Sequence, residues 1–176
     1  MTYKNSARRI ALTGILTTLA LVMFVLEAQL PVIPIYGVKL GLANIMTLAA
    51  IRLVGRREAL ALVLVRVTLG SVYAGTVTTF LFSLAGGLLA WAVMAALDGR
   101  FDDGQVWVLS VFGALAHNVG QLAAACAVLQ TTAALAYLPV LLIAGIATGL
   151  FTGFAATGAL KSPVRRFSLR GKKSGR

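Results

Sequence analysis

Seven side chains capable of binding chemistry lie inside or at the edge of long apolar runs: Glu27, Lys39, Asn44, Arg66, His117, Asn118 and Gln121. Ionisable groups in such surroundings are costly and usually functional. Lys39 and Arg66 would hold an anionic or carbonyl-rich group. Asn44, His117, Asn118 and Gln121 would supply directional hydrogen bonds. Glu27 would orient a cation, carried either by a ligand or by Arg66. His117 and Gln121 are four apart and so share one helix face. The competing reading pairs Glu27 with Arg66 or Lys39 as an internal lock between helices, which leaves room for a pocket beside it. No metal site is expected, because there is one histidine and no second soft ligand near it. No catalytic residue is expected either. No serine or cysteine is paired in sequence with a base, and Asp98, Asp102 and Asp103 fall in a polar break between runs.

The elements that must position these groups follow from composition. Of 176 residues, 59% are hydrophobic and 12% charged. That charged share is about half of what a soluble domain carries. A soluble globule, a disordered chain and a disulfide scaffold are excluded; Cys126 is the only cysteine. An integral membrane protein remains, with about 20 apolar residues needed per spanning helix. Six stretches meet the description: 10–30, 40–54, 59–72, 76–97, 106–129 and 135–160. The first follows Lys4, Arg8 and Arg9 and superficially resembles a secretory signal. No small-x-small cleavage site follows Leu26, so it is read as the first transmembrane helix. The second and third are short, and short spans are tolerated when neighbours bury them. The expected fold is an all-α membrane protein, a compact bundle of six transmembrane helices over 10–160. A basic N-terminus (1–9) and a basic tail (161–176) flank it.

Lys and Arg are distributed unevenly. The first loop holds Lys39, and the third and fifth hold none. The N-terminus, the second and fourth loops and the tail together hold fourteen of the sixteen. The positive-inside rule then puts both termini in the cytoplasm. The net charge of +11 becomes a topology signal, and nucleic-acid binding is not expected. The tail would also attract anionic membrane lipid, at about 1 kcal/mol per cation. At about 1.5 Å per residue, Arg66 stands roughly 14 Å above Arg57, His117 roughly 18 Å above Gln105 and Glu27 roughly 27 Å above Arg9. All would fall between mid-membrane and the outer surface, as a pocket open to the outside would require. Mixed with Tyr36, Tyr73 and aliphatic walls, they would suit an amphipathic, ring-bearing ligand.

Small residues mark close packing. Gly145, Gly149 and Gly153 recur at four-residue steps, Gly37 and Gly41 repeat the spacing, and Gly86-Gly87 interrupts the fourth run. Ala7 and Ala11 share a face at the start of the first helix. Such faces pack helices within a bundle or dock a partner membrane protein.

Several segments resemble one bacterial family: Lys39-Leu-Gly-Leu-Ala-Asn44, Leu64-Val-Arg-Val-Thr-Leu-Gly-Ser71, Phe82-Ser-Leu-Ala-Gly-Gly87, Ala116-His-Asn-Val-Gly-Gln-Leu122 and Tyr137-Leu-Pro-Val-Leu-Leu-Ile-Ala-Gly145. This is the Gx transporter family, also labelled heptaprenyl diphosphate synthase component I. The resemblance spans about 10–160 and is most specific around Asn44, Arg66 and His117. The family is in turn similar to the substrate-binding S components of energy-coupling factor transporters. That likeness implies capture of a vitamin-like molecule from outside the bacterial inner membrane, with a separate coupling subunit and paired ATPases as partners. In several S components an Ala-x-x-x-Ala face on the first helix contacts the coupling subunit, and Ala7 and Ala11 match its place. The chain has no phosphate-cradling Gly-Lys-Ser/Thr loop, so ATP hydrolysis would belong to a partner. No cofactor is expected.

The synthase label implies a second role. Prenyl diphosphate synthases hold magnesium and diphosphate with Asp-Asp-x-x-Asp motifs. Here Asp102-Asp103 has no third aspartate in register, so the chain would not be an enzyme by itself. It would be a membrane accessory of isoprenoid or quinone metabolism, handling an isoprenoid- or quinone-like ligand. A third reading is a ligand-free structural subunit whose polar residues are internal staples.

Overall fold

A computed structural model describes residues 2–29 and 41–161. The described residues form six α-helices and no strand: α1 Thr2–Ala28, α2 Asn44–Leu53, α3 Arg56–Ala74, α4 Val77–Leu97, α5 Val106–Leu129 and α6 Leu138–Lys161. A 3₁₀ turn, Ala133–Tyr137, leads into α6. Lys39 and Tyr36, Gly37 and the tail beyond 161 lie outside the described residues. The basic stretch Lys4–Arg9 belongs to α1, which runs unbroken into its apolar part.

Among the described residues, four segments are long and apolar enough to cross a membrane: Ser6–Glu27, Val77–Leu97, Val106–Leu129 and Ala133–Gly158. Their apolar side chains face outward as well as inward; Ile10, Ile143 and Phe151 are among the most exposed. Such exposure suits lipid and not water. Two helices depart from the expected spans. α3 has 19 residues rather than a short 59–72, because Arg56, Arg57 and Glu58 form its first turn. Those charges, with Arg66, keep it out of the apolar set. α2 has 10 residues and is about 15 Å long, half the hydrocarbon thickness of about 30 Å. The helix starts late because Gly41 has a φ of +81° and residues 42–43 form a turn.

A helix this short fits at membrane depth only if protein encloses it. α2 packs against each of the other five α-helices. Leu48, Ala50 and Ile51 have no exposed surface. With Leu62, Met94 and Leu109 they belong to one apolar cluster. A smaller cluster joins Phe82, Leu122, Ala125, Ala134 and Leu141. Along α5 the buried polar residues Ser110, His117, Asn118 and Gln121 fall between the two clusters, as Ser83 does on α4.

Glycines set the helix separations. A Cβ on Gly120 of α5 would lie 2.7 Å from the Ala85 carbonyl oxygen and 2.9 Å from Gly86 Cα of α4. Gly149 and Gly153 of α6 would place theirs 2.7 Å and 2.5 Å from the Cα atoms of Val111 and Trp107 of α5. Gly145 meets Asn118 on the same face. This face is internal to the bundle, and Ser110 and Thr152 share a 2.9 Å hydroxyl hydrogen bond across it. Gly14 of α1 has nothing within 4 Å of such a Cβ. Gly120→Ala is expected to destabilise by about 1–3 kcal/mol through overpacking against backbone. Gly14→Ala should be neutral or mildly stabilising, as in an open helix interior. Thermal unfolding of both variants in detergent checks this; equal melting temperatures would contradict the packing assigned to Gly120.

Candidate functional site

Glu27 ends the inward face of α1, three residues after Phe24, and both are buried. Its carboxylate accepts hydrogen bonds from the backbone N–H groups of Gly41 and Leu42 (3.3 Å). These residues open α2, whose first amides turn back onto the same segment: Asn44 N–H donates to the Gly41 carbonyl at 2.9 Å. A carboxylate thus sits at the positive end of a helix that begins at mid-bundle depth. Amide donors and helix dipole both favour it there.

Arg66 is 2% exposed and lies under the electrostatic influence of Glu27. Its Nη2 passes over Gly87 of α4, 3.2 Å from where a Cβ would stand. A larger residue at 87 would crowd the guanidinium. His117 of α5 packs between two glycines. A Cβ on Gly41 would lie 2.7 Å from its Cδ2, and one on Gly86 would lie 2.9 Å from its Nδ1. Gln121, one turn further on, covers Gly86 with its Cγ at 2.7 Å. Glycine is needed at 41 for a second reason, since its φ lies in the left-handed region.

A small cavity lined by Phe24, Glu27, Gly41, Arg66, Ser83 and His117 lies among these groups, with room for about one water molecule. Four helices and the opening turn of α2 contribute to it. The Ser83 hydroxyl and Arg66 Nε are buried with no hydrogen-bond partner among the described residues, as are both polar atoms of Asn44 beside Gly41. Leaving such groups unsatisfied costs on the order of 1–3 kcal/mol each, which a bound molecule or water would recover.

The other expected site residues are placed elsewhere. Asn118 points to α6, where its Nδ2 donates to the Leu141 carbonyl at 2.6 Å; it is a strut between helices. Tyr73 is exposed and accepts a 3.4 Å hydrogen bond from Gln29, so it does not line the cavity. Ala7 and Ala11 are exposed on α1. Charge-based reasoning passes over Ser83, which lines the cavity, and the Gly86-Gly87 pair, against which His117, Gln121 and Arg66 pack. The only signal they leave is a small-residue cluster interrupting an apolar run. No group of three or more metal-ligating side chains occurs among the described residues.

A second polar cluster joins the opposite helix ends. Asp98, which follows α4, is paired with Arg52 of α2 (3.2 Å) and Arg56 of α3 (3.8 Å). Arg52 also reaches Asp103 at 3.8 Å and donates to the Phe101 carbonyl at 3.0 Å. Arg9 of α1 pairs with Glu58 of α3 at 2.6 Å. These contacts fix where α2 ends, and so where it begins at the cavity.

Long apolar helices around an enclosed half-length helix, with a buried charged cavity at its start, define an all-helical multi-pass membrane protein. Residues 16–159 match the profile of the family described as heptaprenyl diphosphate synthase component I, and the chain belongs to that family. Comparison with curated proteins and with solved structures gave no match.

Proposed function

We propose that this protein is a membrane subunit that binds a small amphipathic molecule from the outer side of a bacterial inner membrane. It would do so without catalysing a reaction. Six membrane-embedded helices over 10–160, with both termini in the cytoplasm, are part of the reading. The support for that topology is the Lys/Arg distribution. α2 would cover only the inner half of the bilayer, its N-terminus facing the cavity. Arg66 and His117 would bind the ligand, with Asn44 and Gln121 as neighbours and Lys39 as a further cation. Ala7 and Ala11 would dock a coupling subunit that acts with ATPases, as in the S components. The observation that carries the binding role is the convergence of Glu27, Arg66, Ser83 and His117 from separate helices on one cavity. Internal staples alone would not leave buried donors without partners around empty space.

The family description favours a second reading, in which the chain is a non-catalytic accessory to a prenyl diphosphate synthase. The two share a ligand-binding site and differ in partners. Gentle purification from the native membrane, followed by identification of the co-purifying polypeptides, separates them. A coupling subunit with ATPases is the expected result; a soluble prenyltransferase would transfer the assignment to the accessory role. In either case His117→Ala is expected to weaken ligand binding about tenfold while the protein still inserts, the loss typical of one buried hydrogen bond. Unchanged affinity would remove His117 from the site.

A further inference from the structure

We propose that Glu27 is a built-in occupant of an oxyanion site, and that the ligand's carboxylate or phosphate head takes its place between the opening turn of α2 and Arg66. This deepens the binding role above and rests on it. The Gly41 and Leu42 amides donate to Glu27, and the Arg66 guanidinium lines the same cavity. The same set would satisfy any oxyanion of similar size. Around it stand donors that Glu27 does not use. Ser83 lines the cavity at 3% exposure with no hydrogen-bond partner among the described residues, and Arg66 Nε is in the same condition. A carboxylate tethered to α1 occupies part of the donor set and leaves the rest unfilled. A free oxyanion in the cavity would use both parts.

Size and charge narrow the ligand. With Glu27 in place the cavity has room for about one water molecule, far less than the roughly 300–1,000 Å³ of ordinary ligand sites. A ligand enters only where the Glu27 carboxylate vacates its place, which suits a polar head of similar size with the apolar remainder outside. Two anions cannot share so small a buried volume without strong repulsion. Glu27 must therefore swing away when an anionic head arrives. It acts as an internal competitor that sets the affinity, and its charge disfavours neutral Arg66-binding molecules far less than anions.

Prenyl diphosphates and prenyl carboxylates share this chemistry, and one tail with three heads distinguishes them. Equilibrium binding of farnesyl diphosphate, farnesoate and farnesol would be measured with the full chain in lipid nanodiscs. Glu27→Gln is expected to tighten one or both anions by about tenfold or more, through loss of like-charge repulsion, and to leave farnesol unchanged. Tightening of the diphosphate alone assigns a phosphate head, and tightening of farnesoate alone a carboxylate. Ser83→Ala, on α4 and making no hydrogen bond to the α2 turn, should weaken the same anion by about threefold to tenfold. This second variant stands even where Glu27→Gln unseats α2. Glu27→Gln that folds but weakens or leaves unchanged both anions, or Ser83→Ala without effect on them, overturns the proposal. So does failure of both anions to bind wild type and Glu27→Gln. A small molecule still recovered with the native protein would then keep the binding role while rejecting an oxyanion head.

Discussion

Arg66→Ala is expected to lower the affinity for the captured ligand by about a hundredfold or more, the usual consequence of truncating one side of a buried charged contact. Two features make this the largest functional effect. The guanidinium is buried between α1 and α4, so its interactions are little screened by water. No other cation lines the cavity among the described residues. The fold should survive the change. Glu27 keeps its two amide donors at Gly41 and Leu42, and the variant removes a charge whose burial is itself unfavourable. Membrane insertion and thermal unfolding measured beside ligand binding separate the two effects. A destabilised variant with normal affinity per folded molecule would make Arg66 a structural lock with Glu27. Under that alternative, Arg66→Met combined with Glu27→Gln would be tolerated better than either change alone.

Asp98→Ala is expected to be the most destabilising single substitution, at about 3–5 kcal/mol. The Asp98 side chain is 1% exposed, and Arg52 is 12% exposed beside it. Truncation would leave the Arg52 charge half-buried, its other anionic neighbour being the more distant and exposed Asp103. Arg56 is half-exposed and would lose far less. The consequence reaches the cavity because α2 is a short rod pinned at both ends, by Asp98 through Arg52 and by Glu27 through its opening turn. Loosening one end should therefore also weaken ligand binding, though no ligand contact is lost. Thermal unfolding of Asp98→Ala and Asp98→Asn in detergent checks this. A shift no larger than that of an exposed control such as Asp102→Ala would contradict the pinning.

The long helices were readable directly from hydrophobicity. α5 occupies the expected 106–129 and α4 differs from 76–97 by one residue, because an uninterrupted apolar run ends where polar turn residues begin. The short α2 was readable in place and in its end, but not in its start. Within the run 40–54 nothing announces that Gly41 adopts a left-handed conformation and delays the helix to Asn44. The site was half legible. Buried charge costs enough to be conspicuous, so Glu27, Arg66 and His117 stand out of their runs. Ser83, Gly86 and Gly87 do not, because their contribution is space and one small donor. His117 and Asn118 are adjacent in sequence but about 100° apart on a helix. One reaches the cavity and the other crosses to α6, a difference that only the neighbouring helices decide. Lys39 lies outside the described residues and keeps its role as a proposal.

The most direct test is native mass spectrometry of the full chain taken from its own membrane, wild type beside Arg66→Ala. The expected result is an anionic small molecule retained by the wild type and missing from the variant, with both proteins folded. Identical spectra, with no small molecule on either or the same one on both, would contradict a ligand site built on Arg66.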